Sequence, residues 1–478
     1  MNGRPAASLL RGPHDPAVPV TTAVGLGRKT RLDVDSADLI ERHGRVISRA
    51  TRLAFYPLVV AGGEGAIVRS SDGREWIDFL ASAATLNTGI GHPAVVEAIR
   101  EQAGRLPHYN AAYVYHQPMV ELAEALVART PGTFDKRVAF GLSGGDSVDG
   151  AIKAARKWSG RQKIIGFSGS YHGTTYGALT LSSVNLDMRR GLGPFLPEVY
   201  HVPYPDHYHD RSRRKPDEVG AAALAALDQL LSSEVPPEEV AAIILEPIQG
   251  DSGIVIPPQS FMTGLKERCE RYGILFIVDE IQAGFGRTGR WFSIEHFGIE
   301  PDGVICGKAI SSGIPLSAFV ARSEILESWQ APAHTFSSGA NPLSCAAALA
   351  TIRVIEAEGL VERARTLGER LRKSIAELAT RRHLIGDIRG EGLMIGVELV
   401  TSRSERTPAP QATAKVAWRC WELGLLVTFL RGNVLRLVPP LVITTEQIDR
   451  AVSILDRALD DVAQGLVPDE AVAQLKGW

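Results

Sequence analysis

The run Tyr272–Phe319, YGILFIVDEIQAGFGRTGRWFSIEHFGIEPDGVICGKAISSGIPLSAF, decides how the rest of the chain is read. Ile274 to Val278 is an unbroken apolar stretch rich in β-branched residues, the composition of a strand buried on both faces of a parallel sheet. It ends in Asp279 and Glu280. Gly303 to Cys306 makes a second short strand, ending at Gly307-Lys308, and 308 − 279 = 29 residues separate the aspartate from the lysine. The two charged side chains are therefore expected to leave neighbouring strands. Ligands of open α/β sheets gather at the carboxyl ends of strands, so this pair is expected to stand in an active site.

An aspartate and a lysine at adjacent strand ends suit pyridoxal phosphate. The lysine amine forms a Schiff base with the aldehyde, and a carboxylate beside the pyridine nitrogen keeps it protonated, so that the ring can act as an electron sink. Asp279–Arg290 (DEIQAGFGRTGR), Pro301–Lys308 (PDGVICGK) and Gly313–Ala318 (GIPLSA) resemble the signature of the class III aminotransferase family, fold type I pyridoxal-phosphate enzymes. The resemblance implies Lys308 as the Schiff-base lysine, Asp279 as the partner of the pyridinium and Gln282 near the ring hydroxyl. It also implies an α/β fold in which a large domain holds a mostly parallel seven-stranded sheet and a smaller domain is α+β. The expected division is a flexible amino arm over 1–33, an N-terminal segment of the small domain over 34–75, the large cofactor-binding domain over 76–344, and the C-terminal small domain over 345–478.

The composition agrees with a large enzyme. A chain of 478 residues, 45% apolar and 22% charged, can bury a sizeable core. A net charge of −2, with no dense basic patch, argues against nucleic acid as a partner. Cys269, Cys306, Cys345 and Cys420 are isolated, without metal-type spacing, which fits a reducing compartment. The amino end lacks the apolar core of a signal peptide and no run approaches membrane-spanning length, so the expected location is cytoplasmic, away from membranes.

Taken in order, Ala37 to Leu53 has helical spacing, and Gly62 to Phe79 reads as a hairpin turning at Ser71-Asp72-Gly73. Asp78–Pro93 resembles the family's loop at the mouth of the site, with Ser82 to Asn87 bordering the substrate. Val138 to Phe140 is a short strand, followed by a glycine loop, Gly141-Leu142-Ser143-Gly144-Gly145, and a helix over Asp146–Trp158. Free backbone N–H groups and the positive end of the helix dipole make such a turn an anion site. Beside Lys308 it is assigned to the cofactor phosphate, through Gly144 and Gly145. The family usually has Ser or Thr at position 145.

Lys163 to Phe167 is a buried strand leading to Tyr171-His172-Gly173, where by resemblance Tyr171 stacks on the pyridine ring. Ala241 to Glu246 is another, delivering Asp251 to the same edge. Ser337, in His334–Pro342, falls on a Thr position that in the family reaches the phosphate of the neighbouring subunit's cofactor. A homodimer or dimer of dimers with active sites at the subunit interface follows from that resemblance. The remainder, helical over Pro342–His383 and Ala412–Leu423 with strands in Gly386–Val400 and Leu425–Val442, makes a C-terminal α+β unit.

Two residues bear on the reaction. Arg436 falls where family members acting on α-amino acids bind the carboxylate, a role suited to a planar guanidinium fork. Asp251 stands where the common aminotransferases of the family carry Glu. The same departure, with LSGGDSVDG, SYHGTTYG, VPYPD, IGDIRG, GNVLR and the terminal Gly477-Trp478, is similar to the isoleucine 2-epimerase and amino-acid racemase subgroup. Inverting Cα with two bases needs an acid/base on each face, Lys308 on one and a carboxylate such as Asp251 on the other. The leading expectation is a racemase or 2-epimerase of a free, aliphatic or uncharged amino acid. In the alternative Asp251 only pairs with Arg436 and the enzyme is an aminotransferase using a 2-oxo acid. A non-catalytic scaffold is the third reading, and the intact Lys308 and Asp279 argue against it.

Overall fold

A computed structural model of the protein describes residues 36–478 except Ala54, Gln474, Lys476 and Trp478. The arm expected over 1–33 and the terminal Trp478 lie outside the described residues. Seven strands form the central sheet: β1 (Lys136–Gly141), β2 (Lys163–Phe167), β3 (Val199–Val202), β4 (Val240–Leu245), β5 (Leu275–Asp279), β6 (Gly303–Cys306) and β7 (Ser317–Arg322). Their spatial order is β1-β7-β6-β5-β4-β2-β3. The run from β6 through β5, β4 and β2 to β3 is parallel throughout, and β7 is antiparallel to both its neighbours. This is the mostly parallel sheet expected of fold type I.

The apolar runs form strands because both faces of the sheet are covered. Along β5 the side chains alternate between two cores, Leu275 and Ile277 on one face, Phe276 and Val278 on the other. Burying one such large side chain contributes about 2–3 kcal/mol. Helix α1 (Gly144–Ser159) covers the first face with Ala151, Ala154 and Ala155, and helix α2 (Pro342–Ala357) covers the second with Cys345, Ala347 and Ala348. The small residues let each helix lie close to the sheet.

Two smaller sheets flank this layer. The expected hairpin is present, Ile67–Ser70 pairing with Glu75–Asp78, and it gains Val60–Glu64 on one side and the distant Leu425–Leu426 on the other. A C-terminal antiparallel sheet contains Ile385–Glu391, Met394–Ser402, Val434–Leu437 and Thr428–Leu430. Among the described residues no helix is long and apolar enough to cross a membrane.

Candidate active site

β5 and β6 lie side by side, Asp279 opposite Ile305, so Lys308 begins the turn that follows β6 beside the aspartate. Its backbone is left-handed, with φ 45°, a sparsely populated conformation for a residue with a Cβ and a place where functional sites store strain. A cavity of about 180 Å³ opens here, and Lys308, Asp279, Gln282, Tyr171, Gly144 and Gly145 all line it. Six of the residues singled out in the sequence are thus brought to one place. Burial lowers the Lys308 amine below the ordinary lysine range; Asp251 opposes that, and Arg436 adds to it. A lysine so placed is a better nucleophile and proton carrier near neutral pH.

The Asp279-Glu280 dipeptide divides its work. Asp279 Oδ2 accepts from Nδ1 of buried His172 at 2.7 Å, and its Oδ1 accepts from the Ile281 N–H at 3.0 Å. Burial alone would pull the imidazole down, but the bond to Asp279, with the charges of Asp279 and Glu246, raises it above its ordinary value. Glu280 turns away and takes the Ser293 N–H and Oγ and the Ile294 N–H at 2.7–2.9 Å. Burial pushes its carboxyl up to about 7. Glu246, also raised to about 7 by burial, accepts from the N–H groups of Tyr171 and Gly250, each at 2.9 Å, and so ties the turn bearing Tyr171 to the turn bearing Asp251. The Tyr171 phenol is pushed up to about 12 by burial and by Asp251, Asp279 and Glu246, so it stays protonated.

At the other end of the cavity stands the amino terminus of α1. A capping box fixes it, Ser143 accepting from Asp146 N and the Asp146 carboxylate accepting from the N–H groups of Leu142 and Ser143. The first-turn N–H groups of Gly144 and Gly145 have no acceptor within the helix. A Cβ on Gly145 would come within 3.1 Å of Thr175 Oγ1. That hydroxyl lines the cavity, is buried, and lies near the Asp149 carboxylate, which it helps to hold down against the upward pull of burial. The hydroxyl missing at position 145 is therefore delivered to the same spot from Thr175, a residue not singled out in the sequence. Its signal was its place within SYHGTTYG, just after Tyr171-His172-Gly173. An anion cradle with a buried hydroxyl, a carboxylate braced by an imidazole and a buried lysine fit the three ends of pyridoxal phosphate.

Asp251 and Arg436 adjoin the cavity. Arg436 Nη1 donates to Asp251 Oδ1 at 2.9 Å and Gln282 Nε2 donates to the same oxygen at 3.2 Å. Arg436 Nε and Gln282 Oε1 are buried without partners. A Cβ on Gly250 would lie 2.4 Å from the Gln282 amide oxygen, so any larger residue there displaces that side chain. The ion pair that belongs to the aminotransferase alternative is thus present. Ser337 alone stands apart, exposed and away from this cavity.

Comparison with known proteins follows the same line. The family described as aminotransferase class-III matches residues 48–459. The chain is 42% identical over 444 residues to the isoleucine 2-epimerase of Lentilactobacillus buchneri, covering 93% of this chain and 99% of that protein. It is 41% identical over 441 residues to the leucine/methionine racemase of Thermococcus litoralis, covering 92% and 99%. Among solved structures, the omega transaminase of Pseudomonas jessenii in complex with PMP superposes with a TM-score of 0.84 at 29% identity, covering 89% of this chain and 98% of that one. The chain belongs to the class III aminotransferase family.

Proposed function

We propose that this enzyme is a pyridoxal-phosphate-dependent racemase or 2-epimerase that inverts Cα of a free aliphatic or uncharged amino acid. When bound, the cofactor supplies a ring that takes up the electron pair left at Cα once its proton is lost. Lys308 would hold the cofactor at its aldehyde carbon, and its amine would carry the Cα proton on its own face. Asp279, braced by His172, keeps a proton on the ring nitrogen. The N–H groups of Gly144 and Gly145, with Thr175 Oγ1, hold the phosphate, and Tyr171 covers one face of the ring. Ser337 serves the phosphate site of a neighbouring copy, which makes the working unit a homodimer, alone or within a dimer of dimers. The separation into a domain over 76–344 and a smaller one over 34–75 and 345–478 belongs to the same reading, supported by the pairing of Leu425–Leu426 with Glu75–Asp78.

The observation that carries the reading is the shared guanidinium of Arg436. Its Nη1 rests on Asp251 while its buried Nε has no partner, so it can take one carboxylate of a free amino acid without releasing the aspartate. Asp251 is then held beside Cα, as the proton carrier for the face opposite Lys308. The same ion pair favours a second reading, an aminotransferase in which Asp251 only neutralises Arg436. Purified holoenzyme with a single aliphatic L-amino acid and no 2-oxo acid separates them, followed by chiral chromatography. Isomer accumulating beyond cofactor stoichiometry is expected. Turnover that begins only when a 2-oxo acid is added would make the enzyme an aminotransferase.

A further inference from the structure

The turn that carries Asp251 is strained and is held from outside. Gln249 and Val255 exchange both backbone bonds, at 3.0 and 2.9 Å, and the N–H groups of Gly253 and Ile254 both reach the Gly250 carbonyl, at 3.1 and 3.0 Å. Gly253 and Ile254 are left-handed, with φ 98° and 59°, and a β-branched residue is ill-suited to that region. Such a conformation persists where its surroundings over-determine it. Here the next two carbonyls after Asp251 are both taken by arginines of the C-terminal sheet region. Arg389 Nε donates to Gly253 O at 2.8 Å and Arg431 Nη1 to Ser252 O at 3.4 Å. A Cβ at 253 would lie 3.0 Å from Arg389 Nη2 and crowd this approach.

Both arginines are themselves fixed. Arg389 pairs with Asp387 at 2.7 Å and Glu398 at 2.8 Å, and Arg431 with Asp206 at 3.0 Å. His209 closes the circuit, 2.7 Å from Asp206 and 2.7 Å from Glu398, and Asn433 donates to Glu398 at 3.0 Å. Stretches far apart in the chain, VPYPD, IGDIRG and GNVLR, meet at one turn through Asp206, Arg389 and Asn433.

We infer that Arg389 is a positioning residue for Asp251: its grip on the Gly253 carbonyl sets where the carboxylate stands relative to Lys308 and Arg436. The inference rests on the reading of Asp251 as the second proton carrier. Its test compares wild-type, Arg389→Met and Arg389→Lys holoenzymes in D₂O, using both hands of the aliphatic amino acid that wild type inverts fastest. Cα–H exchange and inversion are measured separately. In Arg389→Met, inversion is expected to fall at least tenfold relative to exchange of the hand deprotonated by Lys308, with cofactor affinity unchanged and partial recovery in Arg389→Lys. Glu398→Gln, which loosens Arg389 without removing it, should shift the same ratio less. Exchange and inversion falling in proportion, or an unchanged ratio, would overturn the inference. Asp251→Asn runs alongside: full inversion in that variant overturns the parent reading and this one together, whereas a crippled Asp251→Asn with an unchanged ratio in Arg389→Met overturns the positioning role alone.

Discussion

Arg436 and Asp251 form a buried pair, Nη1 to Oδ1 at 2.9 Å, in which the guanidinium keeps its Nε free of partners. In the proposed function the arginine has two duties, one to the aspartate and one to an incoming carboxylate. Arg436→Met removes both. A charge-assisted bond contributes about 1.5–3 kcal/mol, so KM for the amino acid is expected to rise about 10- to 100-fold. Steady-state kinetics check this, and an unchanged KM would mean that the substrate carboxylate is held elsewhere.

The Gly145 and Thr175 arrangement predicts a reciprocal exchange. Thr175→Val keeps the shape but removes the hydroxyl, and should weaken pyridoxal phosphate binding about tenfold, about 1.4 kcal/mol. Gly145→Ser by itself crowds Thr175, whose Oγ1 would be 3.1 Å from the new Cβ. The double variant Gly145→Ser with Thr175→Ala is expected to bind the cofactor more tightly than Thr175→Ala alone. Equilibrium titration of apoenzyme with cofactor gives the constant for each variant.

His209 predicts a pH dependence of stability. Burial opposes its charge, but the bonds to Asp206 and Glu398 raise its folded pKa above the ordinary value, taken as about 6.5 when unfolded. Its pairing therefore contributes fully below about pH 6.5 and is lost as pH rises through the higher folded value. Urea midpoints of wild type relative to His209→Gln are expected to be furthest apart near pH 6 and to converge on the alkaline side. A gap that widens with pH would contradict the assignment.

Arg287, in the stretch GFGRTGR, predicts a stability effect. It is fully buried, and burial lowers its guanidinium to about 9 against the opposing charge of Asp78. It donates to the carbonyls of Leu393, at 3.1 Å, and Pro439, and to the Asn87 side chain. Arg287→Met strands these acceptors in the interior at about 1–3 kcal/mol each. A lower unfolding midpoint, equivalent to about 3 kcal/mol, is expected in urea or thermal unfolding.

The strands could be read from the chain because they are covered on both sides: at Leu275–Asp279 each successive side chain enters one core or the other, so no polar alternation obscures the run. The lysine, the aspartate and the glycine loop were legible for a related reason, since each ends a strand at the same sheet edge. The separate fates of Asp279 and Glu280 were not. They depend on which side of the last strand residue faces the cavity, and on the Ser293 and Ile294 N–H groups waiting for Glu280. Thr175 escaped notice because its meaning lies in the absence of a Cβ at Gly145, thirty residues earlier in the chain. The hold of Arg389 on the Asp251 turn crosses from one sheet to another, and local sequence carries no trace of such a contact.

The pairing of Ile77 with Leu425 spans 425 − 77 = 348 residues. On a ribosome adding ~5–20 residues per second, the early strand Glu75–Asp78 emerges roughly 17–70 s before its parallel neighbour exists. Trp76, whose indole N–H donates to the Trp421 carbonyl at 2.7 Å, waits as long for its acceptor. The nascent chain thus carries an open strand edge and a bare tryptophan through most of its synthesis, and the sheet begun first is completed only near its end.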